Sequence, residues 1–194
     1  MKRYLEILIK RQSLTYEEMK EATLQLFSEE VTDSEIAAFL IALKSKGETV
    51  DEVTGLIEVL LKQAHSFTSV TSGVMDNCGT GGDGSNSFNV STTAAFVIAG
   101  AGIKIAKHGN RSVSSKTGSA DVLEVLGSNL NLPKEVSQEL LNDIGITFLF
   151  APHVHPKLSQ IMKVRRSLKI PTIFNLIGPL TNPIALDYQL VGIY

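Results

Sequence analysis

The chain has 194 residues, enough for one ordinary domain or two small ones, and 43% of them are apolar, which is enough for a buried core. A formal net charge of −2 argues against a general nucleic-acid or membrane-surface binder. Cys78 is the single cysteine, which excludes an internal disulfide framework and is typical of a reducing compartment. The sequence has no signal-peptide pattern and no apolar run of roughly 18 residues. We therefore predict a cytoplasmic protein without a membrane partner.

The first 66 residues have the pattern of a small helical bundle. Three Thr-x-x-Glu capping boxes predict helix starts, at Thr15 to Glu18, Thr32 to Glu35 and Thr49 to Glu52. Apolar residues recur behind these starts at helical spacing, and Gly47 stands where one helix could end. No catalytic residue types are grouped in this region, so we expect four helices with a structural role.

From residue 74 onward, short strands alternate with helices. Strands are predicted within 73–79, 103–109, 146–152 and 188–194, and helices within 90–102, 119–127, 133–145, 155–168 and 172–178. This alternation is typical of a mostly parallel α/β sheet. The last predicted strand runs to the end of the sequence, where it would leave an unfinished sheet edge. We therefore expect an α/β domain truncated at the C-terminus, in a chain that is part of a longer protein.

A glycine-rich loop follows the first predicted strand, in the segment "DNCGTGGDGSNSFNVSTTAA". Four glycines fall within residues 79–84, and three of them have the G-x-G-x-x-G spacing of dinucleotide-binding proteins. The acidic residue expected about 20 positions later is absent, and so is the Gly-Lys of a nucleoside-triphosphate loop. Glycines nevertheless let backbone amides approach an anion, and a hydroxyl-rich helix start follows. The loop is predicted to bind another phosphorylated ligand.

A second loop, "KHGNRSVSSKTGSAD", follows the next strand at residues 107–121. It combines three cations with several hydroxyl donors: Lys107, Arg111, Lys116, Ser114, Ser115 and Ser119. Ligands bind at the carboxyl ends of parallel strands, so the two loops are expected to converge. Together they predict a pocket for a ligand with two separated anionic groups.

A third segment, residues 153–183, adds two histidines and a pair of adjacent arginines. His153 and His155 could suggest a metal, but the sequence offers few further ligands for zinc. Arg165 or Arg166 could bind a carboxylate bidentately, and spacing alone does not decide which of them faces inward.

These segments, above all "GTGGDGSNSFNVST", "KHGNRSVSSKTGSADVLEVLG" and "TIFNLIGPLTNP", resemble the anthranilate phosphoribosyltransferase family over essentially the whole chain. The resemblance implies the nucleoside phosphorylase/phosphoribosyltransferase type of fold. It implies a helical domain of residues 1–66 completed by about 169–184, and an α/β domain of residues 73–168 and 186–194. It also implies a homodimer formed through the helical domain, with the substrates in a cleft between the domains.

The resemblance further implies transfer of the phosphoribosyl group from phosphoribosyl pyrophosphate to the amine of anthranilate, with Mg²⁺, in tryptophan biosynthesis. Lys107 and Arg165 would be the catalytic residues, and Ser91 would help to bind Mg²⁺. The phosphoribosyl pyrophosphate site would comprise Gly79, Gly82, Asp83, Ser87, Asn89, Val90, Ser91, Thr92, Lys107, His108, Gly109, Asn110, Arg111, Ser112, Val113, Ser114, Ser115 and Ser119. The anthranilate site would comprise Gly79, His108, Asn110, Arg165 and Pro179.

One departure from the family and two competing functions remain. The family's second metal-binding element is an Asp-Glu pair, but the Asp51-Glu52 dipeptide of this chain lies in a predicted capping box. A pyrimidine nucleoside phosphorylase would share the fold and the second loop, and would bind free phosphate. A non-catalytic nucleic-acid-binding relative would need a basic groove, which a net charge of −2 disfavours.

Overall fold

The computed structural model describes residues 1–67, 72–81, 88–112 and 117–193. The chain divides into two compact units, and each is built from two segments. One unit contains Met1–Gln63 and Pro156–Ile177, and the other contains Ala64–His155 and Gly178–Tyr194. None of the described helices combines the length and the apolar character needed to cross a membrane.

Helices and strands follow the predicted order closely. In chain order the described elements are α1 (Lys2–Leu8), α2 (Tyr16–Leu26), α3 (Asp33–Lys46), α4 (Val50–Gln63), β1 (Val74–Asp76), α5 (Val90–Gly100), β2 (Lys104–Gly109), α6 (Ser119–Val125), α7 (Lys134–Asp143), β3 (Ile146–Phe150), α8 (Ala151–Val154), α9 (Ser159–Leu168), α10 (Ile173–Ile177) and β4 (Tyr188–Gln189). Short 3₁₀ turns at Pro156–Leu158 and Gly178–Leu180 lead into α9 and follow α10.

The helical unit begins each of its three longer N-terminal helices at a predicted Thr-x-x-Glu motif. Thr15 and Thr32 accept hydrogen bonds from the amides of Glu18 and Glu35, whose carboxylates accept hydrogen bonds in return. Thr49 and Glu52 make the same reciprocal pair at the start of α4. These bonds satisfy amides that lack a partner within the helix, which explains why the helices start there.

The second segment of the helical unit differs from the predicted one. The family resemblance implies that about 169–184 complete the helical domain, with 155–168 in the α/β domain. The contacts instead group 156–177 with the N-terminal helices. The reason is that α9 is amphipathic, and its buried Ile161, Met162 and Val164 join the core formed by α1 to α4.

The α/β unit contains a parallel sheet with the strand order β3-β2-β1-β4. Strand β2 pairs with β3 from Ile105 opposite Ile146 to Gly109 opposite Phe150, and β1 pairs with β2 and with β4. Val74, Ala106 and Leu149 lie in the apolar core of this unit. The predicted fold class, a helical N-terminal domain followed by a parallel α/β sheet, is confirmed. The carboxyl ends of β1 and β2 lie side by side and carry the two predicted loops.

Candidate functional site

Lys107 is a buried cation at the end of β2. Lys107 is 3% exposed, and its Nζ donates hydrogen bonds to the backbone oxygen and the Oδ1 of Asn77, both over 3.2 Å. No carboxylate among the described residues forms an ion pair with it. Burial lowers the pKa of Lys107, while the negative forms of Asp76 and Cys78 act in the opposite direction. Among the described residues, the acceptors that make direct hydrogen bonds to this positive charge are therefore neutral.

The start of helix α5 is hydrogen-bonded to the side-chain amide of Asn77. Asn77 Nδ2 donates a 2.7 Å hydrogen bond to the backbone oxygen of Ser91, in the first turn of the helix. Asn89 caps that helix by accepting a hydrogen bond from the amide of Thr92 over 3.3 Å. The free amides and the dipole at a helix N-terminus favour an anion. Lys107 and the start of α5 are thus linked through one buried side chain.

Asp76 lies beneath this arrangement as a fully buried carboxylate at the end of β1. Its Oδ2 accepts a 3.0 Å hydrogen bond from Asn182 Nδ2, and its Oδ1 accepts a longer bond of 3.4 Å from the amide of His108. Asn182 also donates to the backbone oxygen of Ala106 over 2.8 Å. Burial raises the pKa of Asp76 to about 6, although the Asn182 hydrogen bond and the charge of Lys107 oppose the rise. This network joins the ends of β1 and β2.

His108 is a neutral, buried imidazole. Its Nδ1 lies 3.0 Å from the backbone oxygen of Gly178, and since a carbonyl only accepts, Nδ1 carries the proton. The ring packs edge-on against His155, with 5.4 Å between centroids. Burial lowers the pKa of His108 to about 3, and the neighbouring His155 contributes to the decrease. Its buried Nε2 has no hydrogen-bond partner among the described residues and is left as an acceptor.

The described part of the second loop, residues 107–112 and 117–121, is organised around Asp121. Its Oδ2 accepts hydrogen bonds from the amides of Gly118 and Ser112, over 2.7 and 3.1 Å. A Cβ atom at Gly118 would lie 2.5 Å from Ser112 N and 2.6 Å from Asn110 O, so this close approach requires glycine. Arg111 is held by two carboxylates, with 2.7 and 2.8 Å bonds to Glu124 and a 3.1 Å bond to Asp121. A residue predicted to contact phosphate is therefore already paired within the protein.

Arg165 lies on α9 in the helical unit. The residue is 6% exposed, whereas Arg166 is exposed, so the structure shows which arginine faces inward. Its Nη2 donates to Asn175 Oδ1 over 3.0 Å, and its guanidinium carbon lies 5.4 Å from the ring centre of Phe174. Burial lowers the pKa of Arg165 to about 10. No carboxylate among the described residues pairs with this guanidinium, and its Nε has no partner there.

The predicted site residues fall into four groups. Those that the structure brings together at the ends of β1 and β2 include Lys107, His108, Ser91 and Asn89, with Pro179 buried in the same unit. Arg165 belongs to the helical unit. Seven predicted residues lie outside the described part of the chain, namely Gly82, Asp83, Ser87, Val113, Ser114, Ser115 and Lys116. The other predicted residues lie at the end of β2 or in described segments that follow β1 and β2, namely Gly79, Val90, Thr92, Gly109, Asn110, Arg111, Ser112 and Ser119.

Three buried polar residues at the site were not predicted: Asp76, Asn77 and Asn182. Asp76 and Asn77 stand at the carboxyl end of a predicted strand, which was the available signal, because polar side chains at that position face the ligand edge of a parallel sheet. Asn182 had no such signal, because it is far from β1 in sequence.

The described residues contain no cluster of three or more His, Cys, Asp or Glu side chains that could hold a metal ion. Asp76, whose charge acts on Lys107, is already engaged by Asn182 and the His108 amide. This donor set suits a cation held mainly by the oxygens of a bound ligand, with few protein ligands of its own, as is common for Mg²⁺.

Comparison with known proteins gives the family. Residues 2–64 match the model of the glycosyl transferase family helical bundle domain, and residues 71–194 match that of the glycosyl transferase family a/b domain. The chain belongs to this glycosyl transferase family. The two matched regions correspond to the helical N-terminal part and to the part that begins with the parallel sheet.

Several similar members of the glycosyl transferase family are described as anthranilate phosphoribosyltransferases. The anthranilate phosphoribosyltransferase of Exiguobacterium sibiricum is 62% identical over all 194 residues, and the chain spans 57% of its length. The crystal structure of the Thermus thermophilus anthranilate phosphoribosyltransferase is 38% identical, with a TM-score of 0.89 over 98% of this chain and 58% of that one. The Saccharomyces cerevisiae enzyme in complex with PRPP and Mg is 28% identical, with a TM-score of 0.89 over 99% and 58%.

Proposed function

We propose that the chain binds phosphoribosyl pyrophosphate and acts in the transfer of its phosphoribosyl group to the amine of anthranilate. The products would be N-(5-phosphoribosyl)anthranilate and pyrophosphate, in a step of tryptophan biosynthesis. The observation that carries the proposal is the buried Lys107 ammonium, which lacks a paired carboxylate among the described residues and is linked to the start of α5. The names of the similar proteins support the same reaction.

Lys107 and the start of α5 would stabilise the leaving group. Cleavage of the bond between the ribose C1 and the pyrophosphate oxygen leaves negative charge on pyrophosphate and positive charge on the ribose ring. A fixed ammonium and a helix N-terminus, both aimed at the developing negative charge, lower the barrier without reorganising during the reaction. Because neutral amide groups satisfy Lys107, its charge remains available to the ligand.

Mg²⁺ would be bound chiefly by the pyrophosphate oxygens, with Ser91 as the proposed protein ligand. When bound, the cation would supply further neutralisation of the leaving group. A S. cerevisiae relative in complex with PRPP and Mg supports Mg²⁺ as the cation. The Ser91 backbone is already fixed by Asn77, so its side chain would be presented from an ordered first turn.

Arg165 would bind the carboxylate of anthranilate. Its buried guanidinium, with an Nε that has no partner among the described residues, is suited to bidentate recognition. The aromatic amine is neutral near neutral pH, so its attack requires positioning more than a strong base. Gly79, His108, Asn110 and Pro179 are the other proposed anthranilate contacts, and His108 would offer an acceptor at Nε2. A S. cerevisiae relative in complex with 4-fluoroanthranilate supports this substrate class.

A homodimer formed through the helical unit and a cytoplasmic location complete the proposal. The helical unit exposes several large apolar side chains that an interface could cover: Ile9, Leu24, Val50 and Leu61. A single thiol, with no second cysteine to pair with, fits a reducing compartment.

Calorimetric titration of the chain with phosphoribosyl pyrophosphate, with and without Mg²⁺, tests the proposal. We expect saturable binding that Mg²⁺ strengthens, and a loss of about tenfold or more in K107M, because a hydrogen-bonded charge is removed. Lys104→Met is the matched control, since Lys104 begins the same strand outside the proposed site, and should bind as the parent chain does. Absence of binding in a cooperatively folded sample would contradict the proposal.

A further inference from the structure

Asn77 connects the two parts of the proposed anion site. It directly follows β1, is 4% exposed, and uses both ends of its side-chain amide. Its Oδ1 accepts from Lys107 Nζ over 3.2 Å, and its Nδ2 donates to Ser91 O over 2.7 Å. A donor on one side and an acceptor on the other fix the orientation of the amide.

The contact with Lys107 satisfies an ammonium that has little access to water. Asn77 supplies two acceptors to that ammonium, its backbone oxygen and its Oδ1. A neutral amide stabilises the charged form of lysine without cancelling its charge, unlike a carboxylate in the same place. Asp76 and Cys78 both favour the charged form of Lys107, and His108, whose pKa the charge of Lys107 helps to lower, is a third titratable group that interacts with it.

The contact with Ser91 fixes the other side of the site. Ser91 lies in the first turn of α5, where free backbone amides point away from the helix. Because one planar amide makes both bonds, it sets the separation between the ammonium and the helix start. A site that is correctly spaced before the ligand arrives loses less free energy on binding.

We infer that Asn77 is a positioning residue that holds the Lys107 ammonium against the first turn of α5, so that the two bind the pyrophosphate group as one preorganised unit. This inference rests on the proposed function. It goes beyond that function by assigning a role to Asn77, which positions the charged group, whereas Lys107 supplies the charge.

The first test is made on the ligand-free chain. The pKa of Lys107 is followed by NMR from its ¹³Cε shift, with the signal assigned by its loss in K107M. We expect N77A to lower this pKa, since an acceptor is removed, and N77D to raise it, since a carboxylate is introduced. Asn175→Ala, which removes an amide bonded to Arg165, is the matched control and should leave it unchanged. An unchanged Lys107 pKa in both folded Asn77 variants would overturn the inference.

The second test is a double-mutant cycle with phosphoribosyl pyrophosphate and Mg²⁺. N77A should weaken binding about tenfold in the parent chain and less than about twofold in K107M, because its effect acts through Lys107. N77D should also weaken binding, because its carboxylate pairs with the ammonium and repels phosphate. Equal losses from N77A in both backgrounds would show a merely structural role and overturn the inference. If the parent chain does not bind phosphoribosyl pyrophosphate but the Lys107 pKa shifts appear, the proposed function is contradicted, whereas the contact between Asn77 and Lys107 is confirmed.

Discussion

Arg111 donates hydrogen bonds from both of its terminal nitrogens to both carboxylate oxygens of Glu124, over 2.7 and 2.8 Å. Asp121 accepts a third bond from the same guanidinium over 3.1 Å. These contacts raise the pKa of Arg111 and lower the pKa of Glu124. A phosphate that binds Arg111 must therefore compete with two carboxylates.

Replacing Glu124 should strengthen ligand binding. We expect E124Q to tighten phosphoribosyl pyrophosphate binding about two- to fivefold, because an exposed ion pair is weak and its loss frees the guanidinium. Glu139→Gln, at an exposed position of α7, controls for the general change in charge. Calorimetric titration of the two variants measures the effect. Weaker binding in E124Q alone would contradict the prediction and show that the ion pair orders the loop for its ligand.

Replacing each of the two adjacent arginines should affect anthranilate binding to different extents. R165A should weaken anthranilate binding roughly ten- to a hundredfold, because a buried charged donor is lost, and should change phosphoribosyl pyrophosphate binding little. R166A provides the control, since that side chain is exposed. Fluorescence titration with anthranilate, in the presence of phosphoribosyl pyrophosphate, measures both variants. Equal loss of both ligands in R165A would argue against its assignment to the anthranilate carboxylate.

His108 should make the chain sensitive to acid. Its pKa falls from 6.5 to about 3 in the folded chain, so the unfolded chain binds a proton first as pH decreases. The contribution of His108 to the free energy of unfolding is therefore present above about pH 6.5 and lost progressively down to about pH 3. We expect a loss of about 2 kcal/mol between pH 6.5 and about pH 5 from this group, since each unit of the window is worth about 1.4 kcal/mol. Urea denaturation at the two pH values measures it, and H108Q should show a flatter profile.

Asp76 provides an opposing contribution that sharpens the test. Its pKa rises from 3.8 to about 6 on folding, so the folded chain binds the proton more tightly, and stability from this group increases as pH decreases through 6. D76N removes that gain and should make the acid loss steeper, whatever its cost at neutral pH. A shallower profile in D76N would reverse the sign assigned to this carboxyl.

One of the three capping boxes should matter far more than the others. Glu52 is fully buried and its carboxylate accepts from Leu14 N, Thr49 N and Lys46 Nζ over 2.8 to 2.9 Å. We expect E52A to lower the free energy of unfolding by about 3–5 kcal/mol, since it leaves the buried Lys46 ammonium without its carboxylate partner. E18A removes the same motif from α2 and should cost about 1 kcal/mol. Urea denaturation of both variants measures the difference, and similar small losses would contradict it.

The sequence predicted the elements well because their signals are local. Thr-x-x-Glu motifs, apolar spacing and the strand–helix alternation placed the helices and the parallel strands. The difference in burial between Glu52 and Glu18 was not predictable, since the two residues occupy the same Thr-x-x-Glu motif. Burial of Glu52 depends on Leu14 and Lys46, which approach it only after the helices pack.

Local patterns limit the assignment of distant segments for a related reason. The apolar face of α9 shows that the helix packs on something, but not which core it joins. The same limit hid Asn182, whose bonds to Asp76 and Ala106 cross a large separation in sequence. Local patterns identify what a side chain can do, and only the fold identifies its partner.

Because the helical core is assembled from residues 1–63 and 156–177, its parts leave the ribosome at different times. About 90 residues separate them, which at roughly 5–20 residues per second is a delay of about 5 to 20 seconds. During that interval the apolar surface that Ile161, Ile173 and Phe174 later cover has no partner from its own unit. We therefore expect synthesis of this protein to pass through an early intermediate with exposed apolar surface, which lasts until residues 156–177 have been translated.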